Sequence, residues 1–176
     1  MKVKKIVTDA MLIAMFFVLA QFFSIKLGNM KFTLDSLPIL VGASLFGPVD
    51  GFLIGLFGSF LDQLMGYGLM PTTILWIAPA AIRGLLVGLY AKSRHFEMST
   101  KQTIFITVST ALLVTVLNTL VLWLDSVIYD YYSFAYIFGA VPTRIVTGVV
   151  TAVVFAVILP KLLPPLRRFL VTERKS

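Results

Sequence analysis

Arg83 and Arg144 lie within the most apolar stretches of a chain in which 59% of residues are hydrophobic. An ionised guanidinium near a bilayer centre costs at least ~2.5–3.5 kcal/mol on insertion scales, so such residues face a protein interior or a wet cavity rather than lipid. The planar guanidinium fork suits two-point capture of a carboxylate or phosphate. Two such forks, with polar and aromatic residues towards the same ends of their segments, point to a pocket for a small anion-bearing molecule. The competing reading for Arg83 is an ion pair with Asp62 that neutralises both charges and binds nothing.

Helical spacing gathers further candidates around each arginine. Trp76, Ala80, Arg83 and Val87 share one face, with the tryptophan nearer the outer end. Thr147, Gly148 and Thr151 lie on the stripe of Arg144, and Asn118 shares a face with Thr115, Leu122 and Asp125. The Asn118 carboxamide either meets a ligand or bridges helices. Gln63 follows Asp62 just before a Gly66-Tyr67-Gly68 loop, where both residues line a pocket or brace its rim. The candidate substrate-binding set is therefore Tyr67, Gln63, Trp76, Arg83, Asn118 and Arg144. No catalytic set appears: the chain has one histidine, no cysteine, no Gly-x-x-x-x-Gly-Lys loop and no Gly-x-Ser-x-Gly turn. Neither an enzyme nor a cofactor nor a metal site is expected, and uphill movement of a solute must draw on a partner or an ion gradient.

The elements that hold these residues follow from composition. Charged residues are 13% of 176, and the mean hydropathy is +0.96. A soluble domain carries roughly a quarter charged residues, so lipid must replace water around most of this chain. The expected class is an all-α integral membrane protein forming one domain over residues 1–176. The net charge of +7 does not indicate nucleic acid, because lysine and arginine cluster in short tracts between apolar segments, as a topology signal does. A bilayer core of ~30 Å takes about 17–25 apolar residues as helix. The expected segments are Thr8–Ile25, Phe32–Gly47, Val49–Met65, Thr72–Ala91, Gln102–Leu124 and Ser133–Leu159. The first is read as a retained helix rather than a cleaved leader. Pro79 and Pro142 are expected to kink the fourth and sixth segments. Asp50, inside Gly47-Pro48-Val49-Asp50-Gly51, reads as a turn residue. His95 falls in a basic loop and is expected to be solvated.

Six crossings place Lys2/Lys4/Lys5, the tract from Lys92 to Lys101 and the tail with Lys161, Arg167, Arg168, Arg174 and Lys175 on one side. Both termini are then cytoplasmic. Lys26 and Lys31 fall outside with Asp125 and Asp130. The second and third segments are short, and a re-entrant hairpin is the alternative. The outer stretches are an uncharged Gly66–Thr73 and an Asp125–Tyr136 loop with Tyr129, Tyr131, Tyr132 and Tyr136, which suit either an interfacial aromatic belt or lids over a pocket. Glycine steps at Gly51/Gly55/Gly58 and Gly84/Gly88 permit close helix approach. Ala10 and Ala14 form a small-xxx-small step among bulky Met11, Leu12, Met15 and Phe16, which suits docking onto a partner protein.

These residues resemble a known family, the substrate-binding S components of energy-coupling factor (ECF) vitamin transporters. The Ala10–Ala14 step, Leu37-Pro38-Ile39-Leu40 leading to Leu45-Phe46-Gly47-Pro48, and a glycine-rich third segment ending at Asp62 carry the resemblance over nearly the whole chain. It implies a binder in the bacterial plasma membrane that captures a vitamin from outside. Delivery would run through a transmembrane coupling protein and two ATPase subunits, with Ala10 and Ala14 docking onto the coupling protein. The stretch from Tyr67 to Trp76, with Pro79 and Arg83-Gly84-Leu85, looks most like pantothenate-type members; folate or another vitamin is the alternative. A stand-alone ion-coupled secondary transporter using Asp62, and a bundle whose arginines only lock helices, are the readings of another class.

Overall fold

The computed structural model describes residues 2–27, 30–139 and 141–172, with side chains at 5–24, 33–139 and 141–169. Arg174 and Lys175 of the basic tail lie outside the described residues. The chain runs α1 Lys2–Phe22, β1 Ile25–Leu27, β2 Met30–Phe32, α2 Ser36–Phe46, α3 Pro48–Gly66, α4 Thr73–Ser93, α5 Thr100–Ile128, α6 Phe134–Phe138 and α7 Val141–Thr172. Six principal helices correspond to the six expected segments. The short antiparallel pairing of β1 with β2, between α1 and α2, was not expected, because three-residue strands carry too little periodicity to read.

The expected elements need correction at several points. Helix α1 starts at Lys2, before the expected Thr8, and α5 runs to Ile128, so Asp125 is helical rather than the start of a loop. The sixth segment is broken: α6 ends at Phe138, and α7 starts afresh at Val141 and runs to Thr172, so Lys161, Arg167 and Arg168 are helical rather than in a tail. Pro142 therefore sits in the first turn of α7, where its missing N–H costs no helical hydrogen bond, and it kinks nothing. Asp50 is not a turn residue but lies in the first turn of α3, 1% exposed. It is held by an ion pair to Lys5 Nζ at 2.5 Å.

Why these helices pack is legible in their small residues. A side chain built at Gly84 would collide with the Gly51 carbonyl, and one at Gly55 with the Ala80 carbonyl. The α3–α4 seam is thus a backbone-to-backbone contact that larger residues would force apart. The glycine steps serve internal packing. Helix α2 is apolar all round, buried from Pro38 to Leu45, and wrapped by its neighbours. Its 11 residues span only ~16 Å, about half a bilayer core. By length and composition, the stretches Lys5–Phe22, Thr73–Ser93, Thr100–Ile128 and Phe134–Phe169 are long and apolar enough to cross a membrane. On α1, Leu12, Phe16 and Ala20 turn inward while Ala10 and Ala14 are exposed.

Candidate binding site

A cavity of about 1080 Å³ opens between α4, α5 and α7, with α1, α3 and the chain ahead of α2 closing its other sides. That is just above the ~300–1,000 Å³ usual for small-molecule sites. All six candidate residues, Tyr67, Gln63, Trp76, Arg83, Asn118 and Arg144, line it. Ala10 and Ala14 do not; they face outward on α1.

Arg83 is deeply buried, 3% exposed. Its guanidinium lies over the Phe155 ring at 5.4 Å, an arrangement in which the ring face offsets part of the desolvation of the cation. Its Nε and Nη2 have no hydrogen-bond partner. The expected alternative, an ion pair between Arg83 and Asp62, is not made among the described residues. Instead the Asp62 carboxylate accepts a hydrogen bond from Gln21 Nε2 at 2.7 Å, tying α3 to α1. Half-buried Arg144, in the second turn of α7, likewise has a buried Nη1 without a partner. Unmade bonds on buried charged donors cost more than the ~1–3 kcal/mol of a neutral group.

The carboxylates on the cavity wall are in the opposite condition. Asp125 accepts from Trp76 Nε1 at 3.3 Å and from the Tyr131 hydroxyl, so both its oxygens are engaged. Asp35 accepts from Ser36 Oγ at 3.1 Å. Burial, then the hydrogen bond to Asp125, raise the Tyr131 phenol above its ordinary value. The Asp125 clasp joins α4, α5 and the loop after α5 at the cavity mouth, and leaves Trp76 presenting a ring rather than a free N–H. Three of the threonines are committed too. Thr115, Thr147 and Thr151 donate to carbonyls of their own helices at 3.0, 2.9 and 2.8 Å, so towards a ligand they act as acceptors only. Donors left for a guest are the two guanidinia, the Asn118 and Gln63 amides and the Ser59, Tyr67, Tyr136 and Thr143 hydroxyls on the cavity wall.

Sequence reasoning missed three participants. Asp125 was placed on the Asn118 face and could have been read from that spacing; the period also puts it one helical turn beyond Leu122. Tyr131 reads in the sequence only as one of several loop aromatics, and its pairing is a tertiary fact. Asp35 gave no periodic signal at all, standing in the non-helical stretch before α2.

Comparison with known proteins bears on what such a cavity is for. The family model for "ECF-type riboflavin transporter, S component" matches residues 1–163. A UPF0397 protein of Lactobacillus johnsonii is 33% identical over 111 residues, 59% of this chain and 58% of that protein. One from Leuconostoc citreum is 33% identical over 105 residues, 57% of this chain and 55% of that one. The matched stretch thus spans less than two thirds of these relatives' length. Among solved structures, FolT bound with folic acid aligns at TM-score 0.66 and 23% identity, covering 91% of each chain. The S component of a bacterial ECF transporter aligns at TM-score 0.64 and 23% identity, covering 95% of this chain and 99% of that one. At such identities the likeness is one of fold.

Proposed function

We propose that this chain, which belongs to the ECF-type riboflavin transporter S-component family, captures a carboxylate-bearing vitamin in its large cavity and delivers it to an energising module. S components are membrane-embedded transport subunits, not enzymes, and work with ATPases and a coupling protein. The observation that carries the substrate class is the buried Arg83 and half-buried Arg144, each with an unpartnered donor, beside carboxylates that each already accept a hydrogen bond. An incoming anion is the group that satisfies both arginines at once. Both termini cytoplasmic, with the Asp125–Tyr131 clasp facing outside, is the orientation that fits external capture.

Pantothenate is the first candidate, on the resemblance of the Tyr67–Trp76 stretch. Its carboxylate would meet Arg144 or Arg83, and its hydroxyls would donate to threonine oxygens that can only accept. Folate is the second, because a cavity of about 1080 Å³ leaves room for a larger acid with two carboxylates for two guanidinia. Riboflavin, which the family description mentions, has no carboxylate to offer them. Three aspartates also line the cavity, Asp35, Asp62 and Asp125, and an amine-bearing vitamin would be favoured if their donors gave way. Calorimetry on detergent-purified protein against pantothenate, folate, riboflavin and thiamin decides between them. Tight binding of an acid alone is expected, and preference for the neutral or cationic vitamin would overturn the substrate class.

The exposed Ala10/Ala14 step on α1 suits docking onto the coupling protein, since small residues let another helix approach closely. Ala14→Trp should abolish uptake and complex assembly while the isolated chain still binds its vitamin. Loss of vitamin binding instead would make the step part of the internal packing. A lone ion-coupled carrier would take up vitamin in vesicles without any partner, and an S component would not.

A further inference from the structure

We propose that a second site, at the end of the molecule opposite the large cavity, takes the phosphate headgroup of an anionic phospholipid. A cavity of about 300 Å³ opens there between the end of α2, the connection from α4 to α5, the first turn of α5 and the last part of α7. Three independent features of its wall favour an anion. Arg167 and Arg168 both line it, and neither is ion-paired among the described residues. Thr100 and Thr103 bring in the N-terminal turn of the 29-residue α5, where the aligned peptide dipoles leave partial positive charge. Ser99 caps the Gln102 N–H and its carbonyl takes the Thr103 N–H, so the Thr100 and Lys101 N–H groups are the ones left without a helical partner. Ser44 is 2% exposed, lines the same space, and its hydroxyl has no hydrogen-bond partner.

The rest of the wall decides for a lipid over a free ion. Leu45, Met98 and Leu163 line the same cavity, and a bare phosphate would leave that apolar half unfilled. A glycerol backbone with the first methylenes of its acyl chains would cover it. The helices beside the cavity turn apolar residues outward, with Phe105 62%, Val157 55% and Phe169 70% exposed, as a surface meeting acyl chains must. Lys92, Arg94, Lys101 and Lys161 are also exposed at this end, the distribution that attracts anionic leaflets. The neighbouring carboxylate, Glu97, is exposed and does not line the cavity. A zwitterionic headgroup would bring its own cation against Arg167 and Arg168, so the selectivity should be for net negative lipid.

The test uses full-length protein in lipid-free detergent micelles, then in micelles doped with phosphatidylglycerol, phosphatidylcholine or inorganic phosphate. Lipid retention is read by native mass spectrometry and stability by melting temperature. Phosphatidylglycerol should be retained and raise the melting temperature by about 2–4 °C, with phosphatidylcholine and inorganic phosphate without effect. The Arg167→Gln/Arg168→Gln variant should lose the shift and Lys92→Gln/Arg94→Gln should keep it. Equal loss in both variants would mean diffuse surface attraction, an equal response to phosphatidylcholine would remove the anion selectivity, and an equal response to inorganic phosphate would make the site one for free phosphate. Each of these overturns the proposal. Should the arginine variant melt early in lipid-free micelles, Ser44→Ala carries the test. At least tenfold weaker phosphatidylglycerol retention supports the site, and unchanged retention overturns it.

Discussion

Asp50 and Arg83 are buried almost equally, at 1% and 3% exposure, yet among the described residues only Asp50 is closed by an ion pair. Asp50 stands where α3 meets α1 and is closed by Lys5. Arg83 stands where α4 faces α5 and α7, with two of its guanidinium nitrogens unbonded and a cavity beside it. A charge taken out of water must be compensated by something. On the α1–α3 side the protein supplies the compensation itself, through Lys5–Asp50 and Gln21–Asp62. On the α4–α7 side Arg83 has the Phe155 ring and the charge of Asp35 near it but no ion pair among the described residues, and on the proposed function a guest completes the compensation. The contrast separates charge closed within the bundle from charge that, on the proposed function, is left to recognise a ligand.

The strongest way to break that contrast is to remove both unpartnered cations. Arg83→Met with Arg144→Ala should weaken binding of the acidic vitamin a hundredfold or more, about 2.7 kcal/mol, while the melting temperature of the vitamin-free protein holds or rises. A large loss of stability would assign the arginines to the scaffold. Next in size is the partnered side. Lys5→Met leaves the Asp50 carboxylate buried without its cation and should cost about 1–3 kcal/mol of stability, read in a denaturation curve, with vitamin affinity unchanged. Arg144→Ala alone should cost at least tenfold in affinity, about 1.4 kcal/mol, by calorimetry; unchanged affinity would remove Arg144 from the site.

The smallest effect concerns the clasp at the cavity mouth. The folded-state pKa of Tyr131 is raised by burial and by its bond to Asp125, so its contribution is complete below the ordinary phenol value of about 10. It is lost as the pH climbs from there towards the folded value. The melting temperature should therefore fall at alkaline pH, and Tyr131→Phe should flatten that fall. An identical alkaline slope in both proteins would mean the clasp does not close.

How much was legible beforehand differs by element. The middle helices were readable to within a few residues, because apolar length and glycine steps are local signals, whereas the start of α1 and the end of α7 lie well outside the expected bounds. The break between α6 and α7 and the pairing of β1 with β2 were not, since short elements are set by what they pack against. In the site, Arg83, Arg144, Asn118 and Trp76 stood out because polar residues in apolar helices are costly wherever the helices go. Asp35 and Tyr131 lie outside any helical period and became visible only when folding brought them to the cavity wall. Asp50 reads as a turn residue in the sequence for the same reason: its cation lies 45 positions earlier, on α1.

The sequence by itself determined the solvent and the cost: a lipid-dissolved helical bundle with guanidinia too expensive to face hydrocarbon. It also set the small residues that let α3 and α4 touch. Only the tertiary structure decided which buried charges are closed and which are open. Asp62 takes a hydrogen bond from Gln21 and Arg83 faces a cavity, and which distant residues meet is set by how the helices pack, which leaves no trace in local spacing.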